Sequence, residues 1–124
     1  MMRLVLVAVG GSIGSAARYW LAGVVQRLNG SQFPVGTLAV NVLGSFVLGL
    51  VVALSLEREL ISPDARLFLG VGFCGGFTTM SAFSYETVAL LRDGSLLAGA
   101  GNIVVSLLSC LLAVWAGDTV ARLL

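Results

Sequence analysis

Apolar positions run almost unbroken along this chain, and polar ones return only in short breaks and a few isolated blocks. Four apolar runs stand out, roughly Leu4 to Val25, Val35 to Leu56, Leu67 to Leu91 and Leu96 to Gly117. Each is close to the ~20 residues an α-helix needs to cross the hydrocarbon core of a bilayer. The pattern therefore predicts an all-α integral membrane protein of four transmembrane helices, with residues 1–124 forming a single transmembrane domain. The first run has Arg3 ahead of it, as a signal peptide would, but it outlasts a signal's apolar core and continues to Arg18, so it reads as a span.

The breaks carry turn chemistry. Asn29-Gly30-Ser31 with Pro34 separates the first two spans, and Arg92-Asp93-Gly94-Ser95 the last two. Between spans two and three, Glu57-Arg58-Glu59 leads to Ser62-Pro63-Asp64, an N-cap followed by proline at the first helical position. Such short connections make neighbouring helices antiparallel.

The third run departs from good helix chemistry in its middle. Gly72, Gly75 and Gly76 fall within five residues and Thr78-Thr79 follows, so the helix is expected to break there. Broken helices at membrane depth expose backbone carbonyls and N–H groups to ions. In the second run Thr37, Asn41 and Ser45 follow an i, i+4, i+8 spacing and share one face. Asn102, Ser106 and Ser109 or Cys110 form a similar stripe in the fourth, which fits either a polar track or interhelical hydrogen bonding. Glu86 is the one carboxylate inside a span, and Arg18 the one arginine. Buried polar groups of this kind are costly in lipid, at ~2.5 kcal/mol or more for a charge at a helix centre, and mark function.

Composition narrows the chemistry. Residues are 58% hydrophobic and 10% charged, which excludes a wet globular surface. There is no histidine and no lysine, so imidazole-based catalysis, imidazole metal sites and a phosphate-loop lysine are excluded, and no basic patch for nucleic acid exists. Cys74 and Cys110 lie inside spans without metal-ligand spacing and read as small buried apolar residues. The chain is not expected to be an enzyme.

Loop charge sets orientation weakly. Arg3, Arg58, Arg66 and Arg122 fall on one side, Arg27 and Arg92 on the other. Either a single topology or insertion in both orientations with antiparallel pairing fits this bias. Four helices also fill their own centre, so a solute path calls for more than one copy. Gly10-x-x-x-Gly14, Gly72-x-x-x-Gly76 and the Gly44 to Gly49 pair would permit close approach, between copies or within one.

Three segments together resemble the Fluc (CrcB) fluoride channels: Gly11-Ser12-Ile13-Gly14-Ser15-Ala16-Ala17-Arg18-Tyr19, Gly36-Thr37-Leu38-Ala39-Val40-Asn41-Val42-Leu43-Gly44-Ser45-Phe46, and Gly72-Phe73-Cys74-Gly75-Gly76-Phe77-Thr78-Thr79-Met80-Ser81-Ala82-Phe83-Ser84-Tyr85-Glu86. The resemblance implies a multi-pass protein of the cell inner (plasma) membrane that exports fluoride passively, as an antiparallel dual-topology homodimer with two pores and a structural sodium ion (Na+) at its centre. It further implies that Gly75 and Thr78 give backbone carbonyls to that sodium and that Arg18 lies by a vestibule. By the same matching, Asn41 faces the pore, Met80 and Phe83 stand at the two positions of a phenylalanine box, Ser81, Ser84 and Ser106 lie on or near the polar track, and Glu86 sits near the pore mouth. Methionine at the first box position departs from the family pattern, and its methyl hydrogens are weaker partners for an anion than a ring edge. The competing readings are a small dual-topology multidrug or cation exporter and a non-transporting membrane assembly subunit. The exporter would need a carboxylate in the first span, where this chain has only Arg18.

Overall fold

The computed structural model describes all 124 residues, and its only regular elements are helices. Four helical spans are long and apolar enough to cross a membrane. They are α1 (Met2–Asn29), α2 (Val35–Leu56), a third span divided into α3 (63–77) and α4 (Met80–Arg92), and α5 (Leu96–Leu123). The second span has the bounds its apolar run predicts. The first and last helices run past the expected 4–25 and 96–117, because Gln26, Arg27, Asp118 and Arg122 continue the helical register as polar ends. Asp118 and Arg122, one turn apart, form an ion pair at 2.7 Å over that extension.

The helix ends follow the turn chemistry. Gly30 closes α1 in the left-handed conformation, φ 67°, and its N–H donates to the Gln26 carbonyl at 3.1 Å. The Gln26 side chain donates to the carbonyls of Ser31 (2.7 Å) and Phe33 (3.0 Å) and accepts from the Gly36 N–H (2.9 Å), which pins the α1–α2 turn. Ser62 caps α3 as its spacing predicts, its hydroxyl accepting from Ala65 N–H at 3.1 Å ahead of Pro63.

Packing follows the glycines. Consecutive spans run antiparallel, yet the closest pairs are non-consecutive and parallel: α1 lies along α3, and α2 along α5. A Cβ added at Gly10 would stand 2.5 Å from the Phe68 carbonyl oxygen, and one at Gly14 would collide with that of Phe73. One at Gly76 would stand 2.5 Å from the Gly11 oxygen. Gly49 and Gly117 meet the backbones of Val114 and Phe46 in the same way, and Gly44 receives the Thr78 methyl. These small-residue motifs therefore close helix pairs within one chain, the second of the two roles open to them.

The middle of α3, Leu67–Cys74, is wound as π-helix, which nothing in its apolar pattern announces. Its widened turns lie against α1 at Gly10 and Gly14. Leu97, Leu111, Trp115 and many other large apolar side chains face outward, as the lipid-facing surface of a membrane protein requires.

Candidate functional site

The expected break falls at Thr78-Thr79, where both residues are extended (φ −93°, ψ 159° and φ −152°, ψ 116°) between two right-handed helices. Glycine-rich sequence before them makes helix cheap to leave, and β-branched threonines favour extended backbone. An interruption at this depth must satisfy its own polar groups. Thr78 does so backward: its N–H and its hydroxyl both donate to the Cys74 carbonyl, at 3.0 and 2.9 Å. Thr79 does so forward, its hydroxyl accepting from Ala82 N–H at 3.1 Å as the N-cap of α4.

Asn41 bridges the gap from α2. Its Oδ1 accepts from the Thr79 N–H at 2.7 Å, and its Nδ2 donates to the Thr79 carbonyl at 3.1 Å. This two-point pairing fixes the amide's orientation, since the reversed one would face donor to donor and acceptor to acceptor. One Nδ2 hydrogen remains uncommitted. Arg18 reaches across from α1, its Nε donating to the Gly76 carbonyl at 3.0 Å. No hydrogen bond from outside the helices ends on the carbonyls of Gly75 or Thr78.

Around the break the chain leaves an open groove of about 430 Å³. Asn41, Gly75, Thr78, Met80, Phe83 and Ser106 all border it, so six of the ten singled-out residues are brought together from three separate spans. Its outer walls are apolar, with Leu107, Leu111 and Val114 of α5 opposite Leu48 of α2. Met80 is largely exposed on its rim and Phe83 half-buried.

Ser81, Ser84, Glu86 and Arg18 do not border this groove. Ser81 is exposed, its hydroxyl 3.1 Å from that of Thr79, and Ser84 is exposed one turn on. Glu86 is half-buried, and its Oε1 is enclosed without a hydrogen-bond partner. Ser106 is committed elsewhere. Its hydroxyl donates to Asn102 Oδ1 (3.2 Å), Asn102 Nδ2 donates to the Thr87 hydroxyl (2.9 Å), and Thr87 donates to the Phe83 carbonyl (2.7 Å). Asn102, 1% exposed, thus joins α5 to α4 as interhelical glue, and the fourth-span stripe is structural at that point. Thr79 and Gly44 are the participants that residue typing alone missed. A threonine three residues before the first N–H needing a cap, directly after the glycine cluster, was the available signal.

A multi-span membrane protein with one helix interrupted at membrane depth and, beside the interruption, an apolar-walled groove bordered by Asn41 and Ser106 has the architecture of an ion or solute pathway. Residues 5–118 match the family described as CrcB-like protein, Camphor Resistance (CrcB). The "Fluoride-specific ion channel FluC" of Geotalea uraniireducens (strain Rf4) is 46% identical over 124 residues, all of both chains. That of Geobacter sulfurreducens is 48% identical over 122 residues, 98% of each chain, and that of Anaeromyxobacter dehalogenans 48% over 122 residues, 98% of this chain and 97% of the other. The chain belongs to the CrcB family and is a multi-pass protein of the cell membrane.

Proposed function

We propose that this protein is a fluoride-selective channel that lets cytoplasmic fluoride leave down its electrochemical gradient, working as an antiparallel homodimer with two pores. The observation that carries the reading is the groove in which Asn41, Met80, Phe83 and Ser106 meet beside the helix break. Full-length relatives named as fluoride-specific channels support the choice of ion.

Fluoride is small and strongly hydrated, so a pore must replace water with donors while avoiding a buried full charge that would hold the ion. The free Nδ2 hydrogen of Asn41 and the ring edge of Phe83 meet that need. Ser106 joins them by turning its hydroxyl away from Asn102. The groove's apolar far wall keeps the ion from water on that side, and a second copy laid over it would close the path. An inside-negative potential then drives the anion outward with ~2.3 kcal/mol per charge per 100 mV, so no pump is needed.

A sodium ion at the dimer centre fits the donor set, because the carbonyls of Gly75 and Thr78 are hard neutral oxygens without a partner from outside the helices. Bound there, it would supply positive charge that holds the two breaks together. The exporter reading lacks its coupling carboxylate: α1 offers Arg18 at depth, already bonded to Gly76.

Electrode-monitored efflux from proteoliposomes tests the reading. Fluoride-loaded vesicles should empty on adding a potassium ionophore to release charge, and chloride-loaded ones should not. Equal chloride loss, or no fluoride loss from vesicles holding folded protein, would overturn it.

A further inference from the structure

A second cleft, of about 380 Å³, opens where the N-terminal end of α1, the C-terminal end of α2 and the start of α3 meet. Arg3 and Arg66 border its outer part, with Asp64 beside them, while Leu48, Val52 and Val71 line the deeper part. The two guanidinium groups are underused. Arg3 makes no side-chain hydrogen bond or ion pair, and Arg66 makes one hydrogen bond, from Nη1 to the Ser55 hydroxyl at 3.3 Å. Asp64 pairs with neither, although it shares the cleft, so two positive groups and one negative leave it positive overall.

Depth decides what such a cleft meets. Arg66 immediately precedes the apolar stretch that opens at Leu67, and Arg3 lies in the first turn of α1, so both guanidinium groups stand at headgroup level with an apolar trough running inward from them. A phosphodiester with an acyl chain below it matches that order: forked N–H donors for the phosphate, carbon for the chain. We propose that this cleft is a binding site for an anionic phospholipid of the phosphatidylglycerol type, with Arg3 and Arg66 on its phosphate, Asp64 accepting from headgroup hydroxyls, and one acyl chain along Val52 and Val71. A free phosphate would use the arginines but leave the trough unfilled.

Native mass spectrometry of the full-length protein in detergent, titrated with palmitoyl-oleoyl phosphatidylglycerol or phosphatidylcholine, tests it. The protein should hold phosphatidylglycerol at least about fivefold more tightly, and the double variant Arg3→Gln/Arg66→Gln should lose about tenfold of that affinity. Arg66→Lys should fall between, having the charge without the fork. Val71→Trp, which fills the exposed trough without altering charge, should also weaken binding, and it keeps the test open if the arginine variants misfold. Arg58→Gln, exposed and off the cleft, should change nothing. Equal retention of both lipids, an equal loss on Arg58→Gln, or displacement by an equal concentration of inorganic phosphate would each overturn the proposal.

Discussion

Under the proposed function, the Asn41 side chain serves structure and permeation together. Its carboxamide replaces the backbone pairing that Thr79 gives up on leaving the helix, and one N–H is left without a partner. Asn41→Asp keeps the acceptor for the Thr79 N–H, but it sets an oxygen against the Thr79 carbonyl and removes the spare donor. Loss of the paired bond should cost about 1–3 kcal/mol at the break. Fluoride efflux should drop at least tenfold, and thermal unfolding in detergent should shift to lower temperature; unchanged efflux would remove Asn41 from the path. Met80 is a different case, exposed on the groove rim and bonded to nothing. Met80→Phe adds a ring edge beside Phe83 without burying new volume, so efflux should hold or rise while stability stays put. The spacing of Asn41 with Thr37 and Ser45 marked a polar helix face, and the amide does find a polar partner there. Its pairing with Thr79 was not, because the partner is a backbone unit 38 residues away whose freedom exists only once the helix has broken.

Among the elements, the α1–α3 contact has the sharpest physical requirement. Alanine is normally favoured over glycine inside a helix by about 1 kcal/mol, so substitution tests whether packing or propensity governs. At Gly14 a Cβ would run into the Phe73 carbonyl, and backbone cannot swing aside as a side chain can. Gly14→Ala should therefore lose about 1–3 kcal/mol from overpacking despite its better propensity. Gly11→Ala, whose Cβ would sit 3.7 Å from the Gly72 oxygen, should be neutral or slightly stabilising. Thermal melts of the two variants in one detergent decide it; equal behaviour would mean that helix pairing tolerates what the geometry forbids. Span number and the break were legible here because apolar run length and glycine clustering are local signals. Parallel pairing of α1 with α3, and the π-helical winding that accompanies it, were not, since the glycine spacing marks a close contact without naming the partner.

The whole molecule presents the proposed pathway as an open groove, which is why copy number enters at this scale. Four arginines at one end against two at the other is a slight bias for fixing orientation. Adding six lysines to the loop between α1 and α2, which makes eight basic residues at that end against four at the other, should fix one topology and abolish efflux. Co-expressing a copy with three lysines at the opposite end should restore it, and full activity from the single biased form would exclude the antiparallel dimer. Replacing sodium with N-methylglucamine throughout purification should shift dimers toward monomers on size-exclusion chromatography. An elution profile indifferent to sodium would remove the ion from the dimer centre.

The interruption at Thr78-Thr79 also divides one long helix macrodipole into two shorter ones. The carbonyl end of α3 brings roughly half a negative charge to membrane depth, and the amide end of α4, two extended residues further on, brings roughly half a positive charge. A cation and an anion can therefore both be served at neighbouring points of the bilayer interior by oriented peptide groups alone. Unlike a carboxylate or an amine, those groups do not titrate, so the field felt by a passing ion should stay the same across the pH range in which the membrane itself survives.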